Sequence, residues 1–408
     1  MTHLSRPARS RTAVVLSGGG AYGAFSVGVM KALFAGRSPA TNFEPLEADI
    51  FTGTSVGAFN AAVMVARSSR DCYANADRLE RIWIERVASQ PGGCGNGVFR
   101  IRANPFDIAN PSCLVAGEGP VLKGTIRRIA DDGFSIGTYL LSRTINFVAG
   151  GSLETAAAQA LDIASFVDAS RFSALLKDVI DPAAISSSEL HLRIVATNWV
   201  TGLPTYFDNS DFTTPIGLRA LMASAAVPGI FPPVHIGQDT FVDGGVVENT
   251  PLKPAISLGA TELHVIYLDP DPKYIPISGQ SSTVNSLLRT YYMMMAAKLS
   301  EDIASASWIN EGLLALRRYQ ATGNVSPRDA DHVVRAASKL MSATTRPLQV
   351  LTVHRYFPNA ALGGDLGYLN FAADSVERIV REGERVGLTH DCADCGCLVY
   401  PNWEHPNA

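Results

Sequence analysis

A serine between two glycines is the residue of this chain best suited, by type and spacing, to act as a nucleophile. The stretch GTSVG, residues 53–57, follows a predicted strand and opens a predicted helix. In that context G-x-S-x-G predicts a nucleophile elbow, a sharp turn that exposes Ser55 above a helix amino terminus, which favours negative charge on its oxygen. Gly53 and Gly57 lack the Cβ atoms that would collide with the neighbouring strand and helix. The alternative is an ordinary helix N-cap, for which serine is also a preferred residue.

The candidate base is an aspartate, because the sequence offers no obvious histidine partner. The eight histidines are scattered, and none lies in a glycine-rich turn at the edge of the predicted sheet. Asp243 does, since it ends the apolar strand in TFVDGG and precedes Gly244 and Gly245. Aspartic acid, with an ordinary pKa of about 3.9, is a weak base toward an alcohol. A serine-aspartate pair therefore needs strong stabilisation of the charge that forms on the substrate.

The glycine-rich turn near the amino terminus is the candidate for that stabilisation. In VVLSGGGAYGAF, residues 14–25, three consecutive glycines lie between a predicted strand and a predicted helix. The backbone N–H groups of Gly18, Gly19 and Gly20 can hold the oxyanion of a tetrahedral intermediate as readily as a phosphate. Together with Gly23, the turn also satisfies the G-x-G-x-x-G pattern of dinucleotide-binding proteins.

The dinucleotide interpretation requires an acidic residue at the end of the next strand, where it would bind a ribose hydroxyl. Here that strand ends in TGTSVG, and Glu44, Glu47 and Asp49 come before it or at its start. We therefore favour the oxyanion role. A dinucleotide-dependent oxidoreductase remains an alternative.

An alternation of strands and helices places these turns together. TAVVL and EADIFT predict buried strands, and each is followed by a predicted helix, AYGAFSVGVMKALFA or VGAFNAAVMVA. In such a βαβα unit both strand-to-helix turns lie at the carboxyl edge of a parallel sheet, where open α/β folds build their sites. LHLRIVATN, TFVDGG and ELHVIYLD predict further strands. We predict an α/β fold with an open, mostly parallel sheet flanked by helices.

The chain is predicted to have three parts. Residues 1–11 are expected to be a flexible amino terminus, residues 12–270 an α/β domain, and residues 271–408 a mainly helical C-terminal region. Within the last part, LQVLTVHRY is a possible added strand. Residues 90–152, rich in Gly, Pro and Asn, are expected to form loops over one edge of the sheet.

Composition restricts the classes of function. A net charge of -4 provides no general attraction for nucleic acid. The apolar run behind Arg6, Arg9 and Arg11 is too short for a signal-peptide core, and no stretch reaches the roughly 18 apolar residues of a membrane-spanning helix. We therefore expect a cytoplasmic protein or one bound peripherally at a membrane, with no nucleic-acid partner.

Three cysteines crowd into HDCADCGC near the end of the chain. Cys392, Cys395 and Cys397, with His390 and the later His405, include enough ligands for a tetrahedral zinc ion. Their spacing is tighter than the usual paired C-x-x-C arrangement. We therefore favour free thiols on a mobile tail and predict no metal site.

Four ordered motifs give the chain a family resemblance. SGGGAYGAF, GTSVG, ASAAVPGIFPP and VDGG resemble those of the patatin-like phospholipases over roughly residues 12–270, and together they are far more specific than any one alone. The resemblance implies an open α/β fold and a Ser-Asp dyad that cleaves lipid acyl esters. By position, Ser55 resembles the nucleophile and Asp243 the general base. The loop from Gly18 to Gly20 resembles the oxyanion hole.

The resemblance also suggests an acyl pocket and a departure from the family. Ser224, Pro228 and Phe231 lie in the segment expected to shape the pocket, and the family often has Arg or Lys at the loop position of Tyr22. The expected function is that of a phospholipase A-type acyl hydrolase that needs no cofactor and acts on phospholipid or another acyl-ester lipid. The alternative suggested by Tyr22 is a lipid-binding protein of the same fold with little turnover.

Overall fold

The structure, a computed structural model, describes most of the predicted α/β region and much of the C-terminal region. The described residues are 11–66, 71–89, 97, 100–101, 167–168, 170–228, 230–268, 283–340, 348–360, 362–363 and 367–399. Several predictions lie outside these residues, namely the flexible amino terminus before residue 11, most of the loops of residues 90–152, the domain boundary at residue 270, and His405.

Ten strands and ten α-helices are formed by the described residues. The strands are β1 Arg11–Leu16, β2 Ile50–Thr54, β3 Arg100–Ile101, β4 Val167–Asp168, β5 His191–Asn198, β6 Pro204–Asp208, β7 Val234–Ile236, β8 Asp239–Asp243, β9 Ala260–Ile266 and β10 Thr352–Tyr356. The helices are α1 Gly23–Phe34, α2 Val56–Val65, α3 Cys72–Ile82, α4 Ser170–Val179, α5 Pro182–Ser186, α6 Ile216–Ser224, α7 Leu252–Ser257, α8 Thr283–Ala321, α9 Pro327–Leu340 and α10 Ala373–Leu388.

An eight-stranded sheet joins all of these strands except β3 and β4, which pair with each other. Its order is β10-β9-β1-β2-β5-β8-β7, with β6 paired to β5. The five strands from β10 to β5 are parallel, whereas the pairings of β6, β7 and β8 are antiparallel. The predicted open, mostly parallel sheet with flanking helices is confirmed.

Both faces of the sheet are buried, which explains why β1 reads as a continuous apolar run. Val14 and Leu16 belong to a large core that includes side chains of α1, α2, α3 and α10. Ala13 and Val15 point to the opposite face, into a smaller core that includes Leu252 of α7. Successive side chains of a strand point to opposite faces, so a strand covered on both sides needs apolar residues at every position.

The C-terminal region extends the α/β unit. β10 pairs in parallel with β9 at the edge of the sheet, within the predicted strand LQVLTVHRY. The backbones of α10 and α1 are in direct contact. A Cβ on Gly28 would overlap the Val380 carbonyl oxygen, and one on Gly383 would overlap the Phe25 carbonyl oxygen. Among the described helices, none combines the length and apolar composition that crossing a bilayer requires.

Candidate active site

Ser55 occupies a strained turn between β2 and α2. Its φ of 54° and ψ of -124° lie in a region that residues other than glycine rarely adopt. A Cβ on Gly53 would overlap the Gly57 carbonyl oxygen, and one on Gly57 would overlap that of Leu16. The Ser55 side chain makes no capping hydrogen bond to α2. The turn therefore has the geometry of a nucleophile elbow and not of an ordinary N-cap.

A second serine holds this turn. The Ser55 N–H donates to Ser224 Oγ at 2.8 Å, and the Ser224 hydroxyl donates to the Val195 carbonyl oxygen at 2.6 Å. Ser224 is the last residue of α6 and is fully buried. Its hydroxyl thus connects the elbow to β5 and satisfies two buried backbone groups that would otherwise be costly to leave unpaired.

Strand β5 brings Asp243 to the elbow. Thr54, which precedes Ser55, pairs with Val195, and Asp243 pairs with the next residue, Ala196. Strand β6 pairs with the same stretch of β5 and occupies its other edge. Strands β2 and β8 therefore share one edge of β5 and meet there at their carboxyl ends.

Several hydrogen bonds fix the carboxylate of Asp243 and its backbone. Oδ1 accepts the N–H of Gly245 at 2.6 Å, so Asp243 caps the short turn that follows β8. Its own N–H donates to the Ala226 carbonyl oxygen at 2.9 Å, and its carbonyl oxygen accepts the Thr197 hydroxyl at 2.9 Å. A Cβ on Gly244 would overlap the Val195 carbonyl oxygen, which explains the first glycine after the aspartate.

The glycine-rich turn offers two backbone donors. The N–H of Gly18 is engaged by Asn249, at 3.2 Å from its carbonyl oxygen and 3.1 Å from its Oδ1. Within the part of the chain that the structure describes, the N–H groups of Gly19 and Gly20 make no hydrogen bond. Gly20 has a left-handed φ of 54° and begins the single turn that leads into α1. Gly19 and Gly20 are thus the amides that remain available to an anion.

Ser55, Asp243 and the three glycines line one cavity, whose other walls are largely apolar. Ser55 is 9% exposed and Asp243 is 1% exposed, so both are largely shielded from bulk water. The remaining described lining residues are Val56, Phe59, Trp83, Val87, Phe172, Leu175, Ala225, Val227, Ile230, Phe231, Asn249, Tyr368, Leu369 and Phe371.

The other predicted site residues lie around this cavity in different ways. Phe231 lines it, whereas Pro228 is exposed and neither Pro228 nor Ser224 is among the described lining residues. Gly23 packs on the elbow, because a Cβ there would overlap Val56 Cγ2. The segment predicted to shape the pocket therefore contributes one wall residue and one residue that positions the elbow.

One wall of the cavity comes from the C-terminal region, which sequence analysis did not foresee. Tyr368, Leu369 and Phe371 line the cavity just before α10. The Tyr368 carbonyl oxygen lies where a Cβ of Gly20 would be, and its ring centroid is 4.2 Å from that of Tyr22. In place of the cation common in the family, Tyr22 therefore provides a buried ring against which this wall packs.

Asn249 is a further site residue that sequence analysis missed. Its side-chain amide contacts both backbone groups of Gly18. Oδ1 accepts the Gly18 N–H at 3.1 Å, and Nδ2 donates to the Gly18 carbonyl oxygen at 3.4 Å. Its position in VVENTP, directly after the aspartate motif, was the available signal. For the wall around Tyr368 there was no signal, because contacts between distant segments leave no local pattern.

Comparison with known proteins identifies one family. The sequence profile of one family, Patatin-like phospholipase, matches residues 14–256. No curated protein sequence matches the chain significantly. Among solved structures, VipD from Legionella pneumophila is 13% identical, with 91% of this chain and 67% of that chain covered and a TM-score of 0.33. The type III effector protein ExoU is 14% identical, with 94% and 79% covered and a TM-score of 0.22.

Proposed function

The chain belongs to the patatin-like phospholipase family, and from that premise we propose that it is a serine acyl hydrolase that cleaves carboxylic esters of lipids with a Ser55–Asp243 dyad. The observation that carries the proposal is the meeting of β2 and β8 on one edge of β5. It sets a strained serine beside a buried carboxylate in an apolar cavity, where the amides of Gly19 and Gly20 make no hydrogen bond to any described residue.

The reaction begins with proton transfer inside the dyad. Asp243 accepts the proton of the Ser55 hydroxyl as the oxygen attacks the ester carbonyl carbon. The amides of Gly19 and Gly20 donate to the oxyanion of the tetrahedral intermediate, and one such donor contributes about 3 to 4 kcal/mol to transition-state stabilisation. The intermediate collapses, the alcohol leaves with the proton from Asp243, and the acyl group remains on Ser55.

The second half of the reaction restores the enzyme. Asp243 takes a proton from a water molecule, whose oxygen attacks the acyl carbon. The fatty acid leaves and Ser55 regains its proton, so that the same carboxylate serves both halves. Asp243 is buried, so the site around it excludes bulk water. Without that water, the electrostatic attraction between the two amides and the oxyanion is stronger.

Lipid substrates fit the cavity because its walls are mostly aromatic and aliphatic. A hydrocarbon chain gains about 0.8 kcal/mol for each methylene that it buries. We further propose that the protein meets lipid aggregates through the turn between β5 and β6, where Trp199, Val200 and Leu203 are largely exposed. This turn follows the carboxyl end of β5, at the same edge of the sheet as Ser55.

A long-chain alkyl fluorophosphonate tests the nucleophile, the oxyanion donors and the apolar cavity together. We expect labelling of one residue, identified as Ser55 by peptide mass spectrometry, and hydrolysis of phospholipid dispersed as vesicles. Labelling that persists in Ser55→Ala would contradict the dyad. If the folded wild-type protein binds lipid without labelling or turnover, it is a lipid-binding protein. Saturable quenching of the protein's fluorescence by NADH would favour the oxidoreductase.

A further inference from the structure

Four side chains with metal-binding atoms converge where the segment after α10, called the C-terminal segment below, meets strand β10. They are His354 of β10 and His390, Cys392 and Cys397 of the segment after α10, and their ligand atoms all lie within 4.8 Å of one another. The Cys392 Sγ lies 3.4 Å from His354 Nδ1 and 3.5 Å from His390 Nε2. The Cys397 Sγ lies 3.4 Å from His390 Nε2.

These separations match the edges of a tetrahedral zinc site. Bonds of about 2.3 Å to sulfur and about 2.0 to 2.1 Å to nitrogen, at tetrahedral angles, place the two ligand atoms about 3.5 to 3.6 Å apart. All three sulfur-to-nitrogen distances fall close to that value. Two thiolates and two neutral imidazoles would also cancel the charge of a zinc ion, so that the filled site could be buried without a net charge.

The surroundings suit ligands of this kind. His354 and His390 are both buried beside the two cysteines. The N–H of Arg355 donates to Cys397 Sγ at 3.2 Å, and a hydrogen bond of this kind stabilises a thiolate that binds a metal. Cys395 lies in the same segment but outside the four-atom set.

A second group, Glu262, His264 and His354, shares one histidine with the first. It is the weaker candidate because both ring nitrogens of His264 already have partners. Nδ1 lies 2.9 Å from the Tyr356 hydroxyl and Nε2 lies 3.3 Å from Glu262 Oε1. His264 instead stacks on His354, with ring centroids 4.7 Å apart, and so supports a ligand of the first group.

We propose that His354, His390, Cys392 and Cys397 bind a structural zinc ion that fastens the C-terminal segment to the edge of the sheet. Four protein ligands leave no open position, which is the arrangement of structural and not catalytic zinc. The segment is already paired to the strand, since Val353 and Leu398 exchange two backbone hydrogen bonds. The three cysteines form no disulfide within the described residues, and the segment that carries them is a compact turn beside β10 where the sequence predicted a mobile tail.

The role follows from what the segment adjoins. It directly follows α10, which packs on α1 and is preceded by the wall of the cavity formed by Tyr368 and Phe371. A metal at this point would hold the segment after α10 against β10, and with it α10 and the wall of the cavity. The proposal does not depend on the enzymatic activity, because metal content and unfolding can be measured without a substrate.

Zinc content of the full-length, tag-free protein, purified under reducing conditions, is the first test. We expect about one zinc ion per chain in the wild type and in the control Cys395→Ser, and little or none in Cys392→Ser and Cys397→Ser. A strong chelator should lower the Tm of the wild type, and added zinc should restore it. The Tm of Cys392→Ser should not respond to either reagent.

Spectroscopy on the wild type covers the case in which the ligand variants fail to fold. X-ray absorption at the zinc edge should show two sulfur and two nitrogen neighbours, and cobalt(II) should give thiolate charge-transfer bands. Folded, reduced wild-type protein that binds no zinc or cobalt(II) would overturn the proposal. A bound zinc ion with no sulfur among its nearest neighbours would overturn it as well. A Cys392–Cys397 disulfide in the native protein, or metal loss confined to Cys395→Ser, would also overturn it.

Discussion

Ser55 and Asp243 lie beside each other because Thr54 and Asp243 pair with consecutive residues of β5. The serine follows a parallel strand and the aspartate ends an antiparallel one. Because the carboxyl ends of β2 and β8 adjoin, no histidine is needed between the serine and the aspartate. The proposed dyad therefore depends on the register of two strand pairings, β2 with β5 and β8 with β5.

The dyad predicts equal losses in two single variants. We expect Ser55→Ala and Asp243→Asn each to lower kcat/KM by at least about 1,000-fold, with the double variant no worse, because the two residues act as a unit. Phospholipid hydrolysis measures the loss, and circular dichroism checks the fold. His235→Ala and His191→Ala serve as controls. A comparable loss in either would indicate that a histidine acts in the reaction.

The oxyanion donors predict a loss in kcat when Gly20 is replaced. In Gly20→Ala the new Cβ would overlap the Tyr368 carbonyl oxygen at a φ of 54°, so the turn must move. We expect kcat to fall by about 100-fold or more with a modest change in KM, as for a donor that acts mainly in the transition state. Gly237→Ala is the matched control, because Gly237, in the turn between β7 and β8, has a φ of 64° but open space around it. Equal effects of both variants would attribute the loss to backbone strain alone.

Ser224 is expected to act as a positioning residue. Ser224→Ala leaves the Ser55 N–H and the Val195 carbonyl oxygen without their shared partner, which should lower the free energy of unfolding by about 1 to 3 kcal/mol. The kcat should fall more than KM rises, because the elbow loses its support. Ser257→Ala, which removes an exposed hydroxyl on α7 that donates to the Pro254 carbonyl oxygen, is the control. Unchanged kcat in a destabilised Ser224→Ala would refute a role in positioning.

The contact between α1 and α10 predicts that bulk is not tolerated at Gly383. A side chain there would collide with the Phe25 carbonyl oxygen, so Gly383→Val should lower the free energy of unfolding by about 3 kcal/mol or more. Activity should fall as well, because the segment before α10 forms a wall of the cavity. Arg381→Val places the same side chain at an exposed position of α10 and should cost much less. Denaturant unfolding of the two variants decides the matter.

The exposed turn between β5 and β6 predicts binding to lipid vesicles by apolar contact. Trp199→Ser should weaken binding to zwitterionic vesicles several-fold, with hydrolysis of a monomeric ester unchanged. Trp308→Ser, which removes another exposed tryptophan, on α8, is the control. Binding should depend little on salt, since exposed charges are screened within about 8 Å at physiological ionic strength. A steep loss with added salt would point to basic residues as the contact.

Local patterns in the sequence predicted the central strands of the sheet and the helices that follow β1 and β2. The apolar runs at β1 and β2, each followed by a helical pattern, predicted two parallel strands with their turns at one edge. GTSVG was informative because the close contacts that require its glycines are local. Gly53 lies against the first turn of α2, and Gly57 lies against the end of β1 at Leu16. The open α/β fold could be predicted for the same reason, since burial on both faces imposes apolar residues at every strand position.

Tertiary structure alone decided which distant groups meet. The antiparallel pairing of β8 on β5 brought Asp243 to Ser55, and the contact with Asn249 engaged the amide of Gly18, which the sequence had grouped with Gly19 and Gly20. The wall at Tyr368 and the position of His354 beside the cysteines arise from packing between segments far apart in the chain. Such contacts are selected by shape and register across the folded sheet, and the local sequence around one residue does not specify its distant partner.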